Sequence, residues 1–129
     1  MNRLVSALAL FLVWASVNAA TFEERVDKAN AVFETEDGEA YEKMLGPYIH
    51  AAIKKCTPAG STSSGNLGKF VLVIDVSPEG EIVDPVIKPE TQTSICFSKE
   101  FVSQTLPAPP GSIISDGFAP LVVEIYVVP

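Results

Sequence analysis

Residues 69–88 contain the pattern that most restricts the fold. Their sequence, KFVLVIDVSPEGEIVDPVIK, has two runs of strand-forming residues with a short turn-forming stretch between them. Alternate residues of a strand point to opposite faces of a sheet. In the first run one face carries Phe70, Leu72, Ile74 and Val76, and the other face carries Val71 and Val73. A run that is apolar on both faces predicts a central strand.

The turn and the second run predict a hairpin with its second strand at the edge of the sheet. The turn residues are SPEG, with Ser77 first, proline second and Gly80 last, an order typical of a type I turn. The second run contains Pro85, which has no backbone N–H to donate to a neighbouring strand. We therefore expect the second arm to lie at an edge or to contain a bulge.

A further strand is predicted in residues 119–129, APLVVEIYVVP, which close the chain. Its alternation places Leu121, Val123, Ile125 and Val127 on one face and Val122, Glu124, Tyr126 and Val128 on the other. The second face is too apolar for simple exposure to solvent, particularly beside Val71 and Val73. We expect it to be covered, either by the amino-terminal part of the chain or by another chain.

Three helical regions are predicted. The first, TFEERVDKANAVFETEDG, places Phe22, Val26, Ala29 and Phe33 on one stripe and reaches a break signal at Asp37-Gly38. In the second, Leu45, Ile49, Ala52 and Cys56 share one face, and Pro47 predicts a boundary near Gly46. The third is a helix of about ten residues around Phe97 and Phe101, capped by Thr93 or Ser94 and ended by the prolines of LPAPP.

The predicted order is helix, helix, hairpin, helix and strand, which indicates the α+β class. A connector rich in Gly, Ser and Pro, residues 57–68, separates the helical half from the strand-rich half. We divide the chain into a leader in residues 1–19, an amino-terminal helix in residues 20–38 and an α+β domain in residues 39–129.

The leader, MNRLVSALALFLVWASVNA, is typical of a cleaved secretory signal peptide. Arg3 precedes an apolar stretch, and small residues lie before the predicted cleavage site after Ala19. The alternative, a membrane anchor, needs about 20 apolar residues, more than this stretch supplies. We therefore expect an exported protein, periplasmic or otherwise secreted, with no stable membrane insertion after cleavage.

The two cysteines, Cys56 and Cys96, are expected to form a disulfide, because an even number of cysteines in an exported protein favours one. The alternative is a reactive thiol or a metal-binding pair. The sequence lacks both the C-x-x-C spacing and a neighbouring histidine that such a site would use.

Composition and motifs argue against several functions. The formal net charge is −7, whereas nucleic-acid binding needs clustered Lys and Arg, so no nucleic-acid partner is expected. The single histidine, His50, has no nucleophile motif, phosphate-binding loop or zinc-ligand cluster around it. We predict no catalytic residue, no cofactor and no metal. The acidic residues of the first helical region are interpreted as a solvated face rather than a cation site.

The order of elements resembles the carboxy-terminal domain of the TonB and TolA energy transducers. The resemblance covers roughly Tyr41 to Pro129, and five segments carry it: AYEKMLGPYIHAAIKKC, GKFVLVIDVSPEGEIVDPVI, CFSKEFVSQTL, LPAPP and PLVVEIYVVP. It implies a three-stranded antiparallel sheet with helices packed on it. It also implies that an exposed strand pairs with an extended segment of a partner. TolA-like domains often carry a disulfide near the start of the helix after the hairpin, where Cys96 lies.

The transducers need an uncleaved membrane anchor and a long spacer, whereas the leader of this chain is predicted to be cleaved. We therefore expect the binding mode of the family without energy transduction. The expected function is non-catalytic binding of an envelope protein or an extended peptide, by strand pairing or in a surface groove, with Val122, Glu124, Tyr126 and Val128 as the binding residues. The alternatives are an inhibitor, an immunity-type protein or an envelope-stabilising subunit, and then a small hydrolase or redox protein.

Overall fold

The computed structural model describes residues 20–56 and 68–128, and within them the chain forms four α-helices and one three-stranded antiparallel sheet. The helices are α1 (Phe22–Phe33), α2 (Glu36–Met44), α3 (Gly46–Cys56) and α4 (Gln92–Val102), and the strands are β1 (Gly68–Val76), β2 (Ile82–Lys88) and β3 (Ala119–Val127). The predicted α+β class is confirmed. The predicted leader and the connector up to residue 67 lie outside the described residues.

Strand β1 lies in the middle of the sheet, whose order is β2–β1–β3, as its two apolar faces predict. On one face, Leu72 and Ile74 pack in the main core with aromatic residues of α4 and with Tyr41 of α2. On the other face, Val73 packs with Val122 of β3 against Ala29 of α1. The amino-terminal helix therefore covers part of the second sheet face within the same molecule.

The hairpin turn joins β1 to β2 and anchors the proline-rich segment. The Gly80 N–H donates to Ser77 O at 2.9 Å, and the Ser77 N–H donates to Glu81 O at 2.8 Å. Gly80 has φ +93°, and a Cβ there would lie 2.0 Å from Leu106 O, so this position requires glycine. The Leu106 N–H in turn donates to Gly80 O at 2.9 Å, which ties the chain after α4 to the turn.

Strand β2 lies at an edge of the sheet, as Pro85 predicts. The pairing steps from Val73 opposite Val86 to Asp75 opposite Val83, so two residues of β2 oppose one residue of β1. The bulge accommodates Pro85, and Asp84 beside it adopts φ +53°.

Two predicted helix details are wrong, and both errors concern a helix end. The break predicted at Asp37-Gly38 lies in the first turn of α2, because Thr35 caps α2 by accepting from the Gly38 N–H. The predicted amino-terminal helix of residues 20–38 is therefore α1 followed by the start of α2. Helix α4 is capped by Thr91 rather than by Thr93 or Ser94. The boundary predicted near Gly46 is confirmed, because α2 ends at Met44 and α3 begins at Gly46.

The predicted disulfide is confirmed. It joins Cys56, the last residue of α3, to Cys96 in α4, and its Cα atoms lie 5.7 Å apart. The cysteines are separated by 40 positions, so the closed loop removes enough entropy from the unfolded chain to stabilise the fold by about 4 kcal/mol in the chain-entropy model. Helices α3 and α4 are thereby held together beneath the sheet.

The two glycines at the starts of α2 and α3 make opposite predictions for alanine substitution. A Cβ on Gly38 would lie 1.9 Å from Val32 O, a backbone atom, whereas a Cβ on Gly46 would meet nothing within 4 Å. We expect Gly38→Ala to lower the free energy of unfolding by about 2 kcal/mol or more through this clash. The matched control, Gly46→Ala, is expected to leave it unchanged or to raise it by up to about 1 kcal/mol, because alanine favours helix.

Urea unfolding of both variants and the unsubstituted protein measures these free energies. Equal stability of the two variants would contradict the close approach of α2 to the end of α1.

Candidate functional site

The candidate site is the outer edge of β3. The strands of the described residues pair in the order β2–β1–β3, so no described strand lies beyond β3. A strand edge presents backbone N–H and C=O groups that can pair with another chain. Which groups face outward follows from the register of the sheet.

The hairpin turn fixes the direction of the backbone groups in β1. The Ser77 N–H points to Glu81 at the end of the β2 arm. Because the direction alternates along a strand, odd-numbered residues of β1 face β2 and even-numbered residues face β3. Leu72 lies opposite Val123, and Ile74 lies opposite Leu121, so the odd-numbered residues of β3 pair with β1.

The even-numbered residues of β3 therefore direct their backbone groups away from the sheet. These residues are Val122, Glu124 and Tyr126. Pro120, at the preceding outward position, has no backbone N–H that would need a partner. All three were predicted as binding residues from the sequence. The fourth predicted residue, Val128, follows the last residue of β3.

The side chains of the predicted binding residues differ in accessibility. Val122 is only 6% exposed because α1 lies over it, so its side chain is not available to a partner. Glu124 is exposed, Tyr126 is 66% exposed and Val128 is 72% exposed. The structure thus divides the predicted face into a covered part at Val122 and an open part from Glu124 onward.

Helix α1 covers the sheet through an apolar stripe and two polar attachments. Phe22, Val26 and Phe33 pack around the cluster formed by Ala29 and the sheet. The Arg25 side chain donates to Asp84 O at 2.8 Å and lies 3.6 Å from Asp75 Oδ2. At the start of the helix, Lys88 Nζ lies 4.8 Å from the centre of the Phe22 ring.

A small hollow of about 210 Å³ lies between α1 and the open part of β3. Its apolar lining comes from Phe22, Val26 and Val71, and its polar lining comes from Glu23, Asp27, Lys69 and Glu124. Lys69 Nζ lies 3.6 Å from Glu124 Oε1 and 5.9 Å from the centre of the Tyr126 ring. The hollow therefore adjoins the exposed side chains of the strand edge.

A larger hollow, of about 820 Å³, lies on the other flank of α1 and contains Arg25, Lys28, Asp75 and Asp84. Burial raises the pKa of the Asp75 carboxyl above its ordinary 3.8, and the nearby Asp84 charge raises it further. The Arg25 and Lys28 charges oppose this shift of the pKa. The ion pair with Arg25 offsets part of the cost of burying the Asp75 charge in the central strand.

Among the described residues, those that could bind a metal ion form no further site. His50 is exposed on α3. Within residues 20–56 and 68–128, no group of three or more His, Cys, Asp or Glu side chains is arranged to hold a metal ion. No helix in the same ranges is both long enough and apolar enough to cross a membrane.

Sequence reasoning missed the hollow beside β3. Glu23 and Asp27 were interpreted as part of a solvated face, and both are exposed. Glu23 and Asp27 lie at the strand edge because α1 packs on β3. The sequence pattern of α1 alone does not specify that packing. The spacing of Glu23 and Asp27, four residues apart on one flank of the helix, is the signal that could have placed them together.

Comparisons with protein-family models, with characterised proteins and with solved structures found no match to this chain.

Amide hydrogen exchange tests the orientation of the β3 edge. We expect the amides of Val122, Glu124 and Tyr126 to exchange at least about tenfold faster than those of Leu121, Val123 and Ile125, because only the second group donates to β1. Exchange followed residue by residue in nitrogen-15 NMR spectra measures this difference. Equal protection of the two sets would mean that something covers the edge.

The polar hollow makes a prediction about pH. Because the pKa of Asp75 is raised in the folded state, its contribution to stability is complete below its ordinary pKa of 3.8 and is lost as the pH rises through the raised value. The free energy of unfolding, relative to that of Asp75→Asn, is therefore expected to fall as the pH rises from below 3.8 through the raised pKa of Asp75. Arg25→Gln removes an opposing charge, so it should steepen the fall.

Urea unfolding at several pH values gives these differences. A difference between the unsubstituted protein and Asp75→Asn that rises with pH would show that the ion pair outweighs burial.

Proposed function

We propose that this chain is a non-catalytic protein-binding module that pairs the open edge of β3 with an extended segment of a partner. The observation that carries the proposal is the outward direction of the backbone groups of Val122, Glu124 and Tyr126 at an edge with no described neighbour. Strand addition uses such groups for affinity and the adjacent side chains for specificity.

The side chains beside the edge supply the affinity and the selectivity that backbone pairing alone does not provide. A protein hydrogen bond contributes about 1 kcal/mol net, so the few bonds available from this edge support only weak binding. Tyr126 and Val128 are largely exposed and lie where α1 leaves the strand uncovered. Exposed aromatic side chains are frequent anchors in protein interfaces. Contacts with these residues would add affinity and select the partner.

The proposed setting is the periplasm or another oxidising compartment. The disulfide between Cys56 and Cys96 supports it, because such bonds persist mainly in exported proteins. The leader predicted in residues 1–19 supports it as well. In this proposal the chain shares the binding mode of the TonB and TolA carboxy-terminal domains, and its partner is an envelope protein or an extended peptide.

A proline substitution distinguishes backbone pairing from side-chain binding. Peptides selected from a random-sequence library on the unsubstituted protein serve as ligands. We expect Tyr126→Pro to weaken their binding by roughly tenfold or more, because it removes one outward N–H and places a ring against the partner strand. Tyr126→Ala removes the side chain but keeps the N–H, so it should weaken binding less. Isothermal titration calorimetry measures both.

Two controls complete the test. Pro120 shows that the outward positions of β3 tolerate proline without loss of a bond to β1, and circular dichroism checks the fold of each variant. A photo-reactive residue at Tyr126 should capture the selected peptides, whereas one at Glu36, exposed at the start of α2, should not. Selected peptides that bind Tyr126→Pro as tightly as the unsubstituted protein would refute strand pairing.

A further inference from the structure

The hollow beside β3 lies on the flank of α1 that faces away from the Arg25 attachment. Glu23 and Asp27 are one helical turn apart and share this flank, whereas Arg25 and Lys28 line the hollow on the other side. Val71 and Glu124 belong to paired residues of β1 and β3, so the hollow is bounded by the sheet below and α1 above. A side chain from a strand added to β3 can enter it from the edge.

The charge of the hollow selects the kind of side chain that it accepts. It contains three carboxylates, from Glu23, Asp27 and Glu124, and one cation, from Lys69. Lys69 is already paired with Glu124, whereas Glu23 and Asp27 form no ion pair with any described residue. The hollow therefore has two unpaired negative charges beside its apolar lining, and the chain as a whole has a net charge of −7. This favours a basic side chain and disfavours an acidic one.

A second copy of this chain fits the edge poorly. When two β3 edges pair around a two-fold axis, the register that uses all three outward residues places Glu124 opposite Glu124 and Val122 opposite Tyr126. Like charges directly opposite each other destabilise a strand pair. Each copy also carries a net charge of −7, so the approach of two copies is repulsive. The edge is suited to a different chain, and to a basic one.

We propose that the segment pairing with β3 carries an arginine opposite Glu124, with its stem on Phe22, Val26 and Val71 and its guanidinium between Glu23 and Asp27. In an added antiparallel strand, the residue opposite Glu124 projects from the same face of the sheet and so lies beside the hollow. The arginine stem covers apolar surface while its head stays near water. Its planar fork of donors pairs with carboxylates more specifically than an ammonium group does. This inference rests on the strand-pairing function proposed above.

The test uses three synthetic peptides that differ at one position. Each is a short strand of alternating Thr and Val, with a central arginine, a central citrulline or a central glutamate. Citrulline has the shape of arginine without its charge. We expect the arginine peptide to bind at least about fivefold more tightly than the citrulline peptide in titration calorimetry, a modest factor because the carboxylates are exposed. The glutamate peptide should bind most weakly.

Protein variants locate the effect. The double variant Glu23→Gln/Asp27→Asn should bind the arginine and citrulline peptides equally. The matched control, Glu36→Gln/Glu42→Gln, removes the same charge from exposed positions of α2 and should retain the preference for arginine. Loss of the preference in both double variants would show that only net charge matters and would overturn the inference.

The outcomes separate this inference from the function on which it rests. If the arginine and citrulline peptides bind equally, and Tyr126→Pro weakens both, the hollow does not select arginine but strand pairing stands. If Tyr126→Pro binds the arginine peptide as tightly as the unsubstituted protein does, the peptide does not lie along β3 and the inference fails. If none of the peptides and no library peptide binds, both the inference and the proposed function are overturned.

Discussion

The apolar character of both faces of β1 is the constraint on which the rest of the structure depends. Leu72 and Ile74 on one face and Val73 on the other are almost completely buried. Burying apolar surface contributes about 25 cal/mol per Å² removed from water, so neither face can stay open without a large loss of stability. The chain therefore needs a layer on each side of the sheet, and it supplies both from its helices.

The two layers are attached differently. On the main core side, the disulfide holds α3 to α4, and Tyr41 of α2 donates its hydroxyl to Pro107 O at 2.7 Å. Burial raises the pKa of Tyr41 to about 12, so this hydroxyl remains a donor at physiological pH. On the other side a single helix, α1, is attached by its apolar stripe and by Arg25. A helix of 12 residues is marginal by itself, so α1 and the sheet face that it covers stabilise each other.

Much of the fold could be predicted because its signals are local. The alternation in β1, the SPEG turn, Pro85 in β2 and Pro47 in α3 each determine a nearby backbone feature, and the structure has each of them. The errors came from helix ends that depend on contacts. Gly38 signals a break in isolation, but it allows α2 to begin close to Val32 O. At α4, Ser94 bonds back to the Thr91 N–H at 2.8 Å, so the serine follows the cap rather than forming it.

The candidate site was predictable only in part, for a similar reason. Period-two alternation identified Glu124 and Tyr126, but it does not show which side chains of that face a distant helix covers. Val122 was therefore grouped with the binding residues, although α1 covers its side chain. The hollow joins Phe22 and Glu23 to Lys69 and Glu124, residues far apart in the chain that meet only when α1 packs on the sheet. A pattern within one segment contains no information about contacts between segments that lie far apart in the chain.

The two edges of the sheet also differ in a way that bears on function. An open strand edge invites unwanted pairing, and proteins protect such edges with prolines, bulges and charges. Strand β2 has the bulge at Asp84 and Pro85 in its middle, which interrupts pairing along its length. Strand β3 has its proline near one end and is regular through Glu124 and Tyr126. Its protection is the charge of Glu124, which opposes pairing with a second copy but not with a basic strand. The edge that is left regular would thus be selective in what it pairs with, which suits the binding function proposed for it.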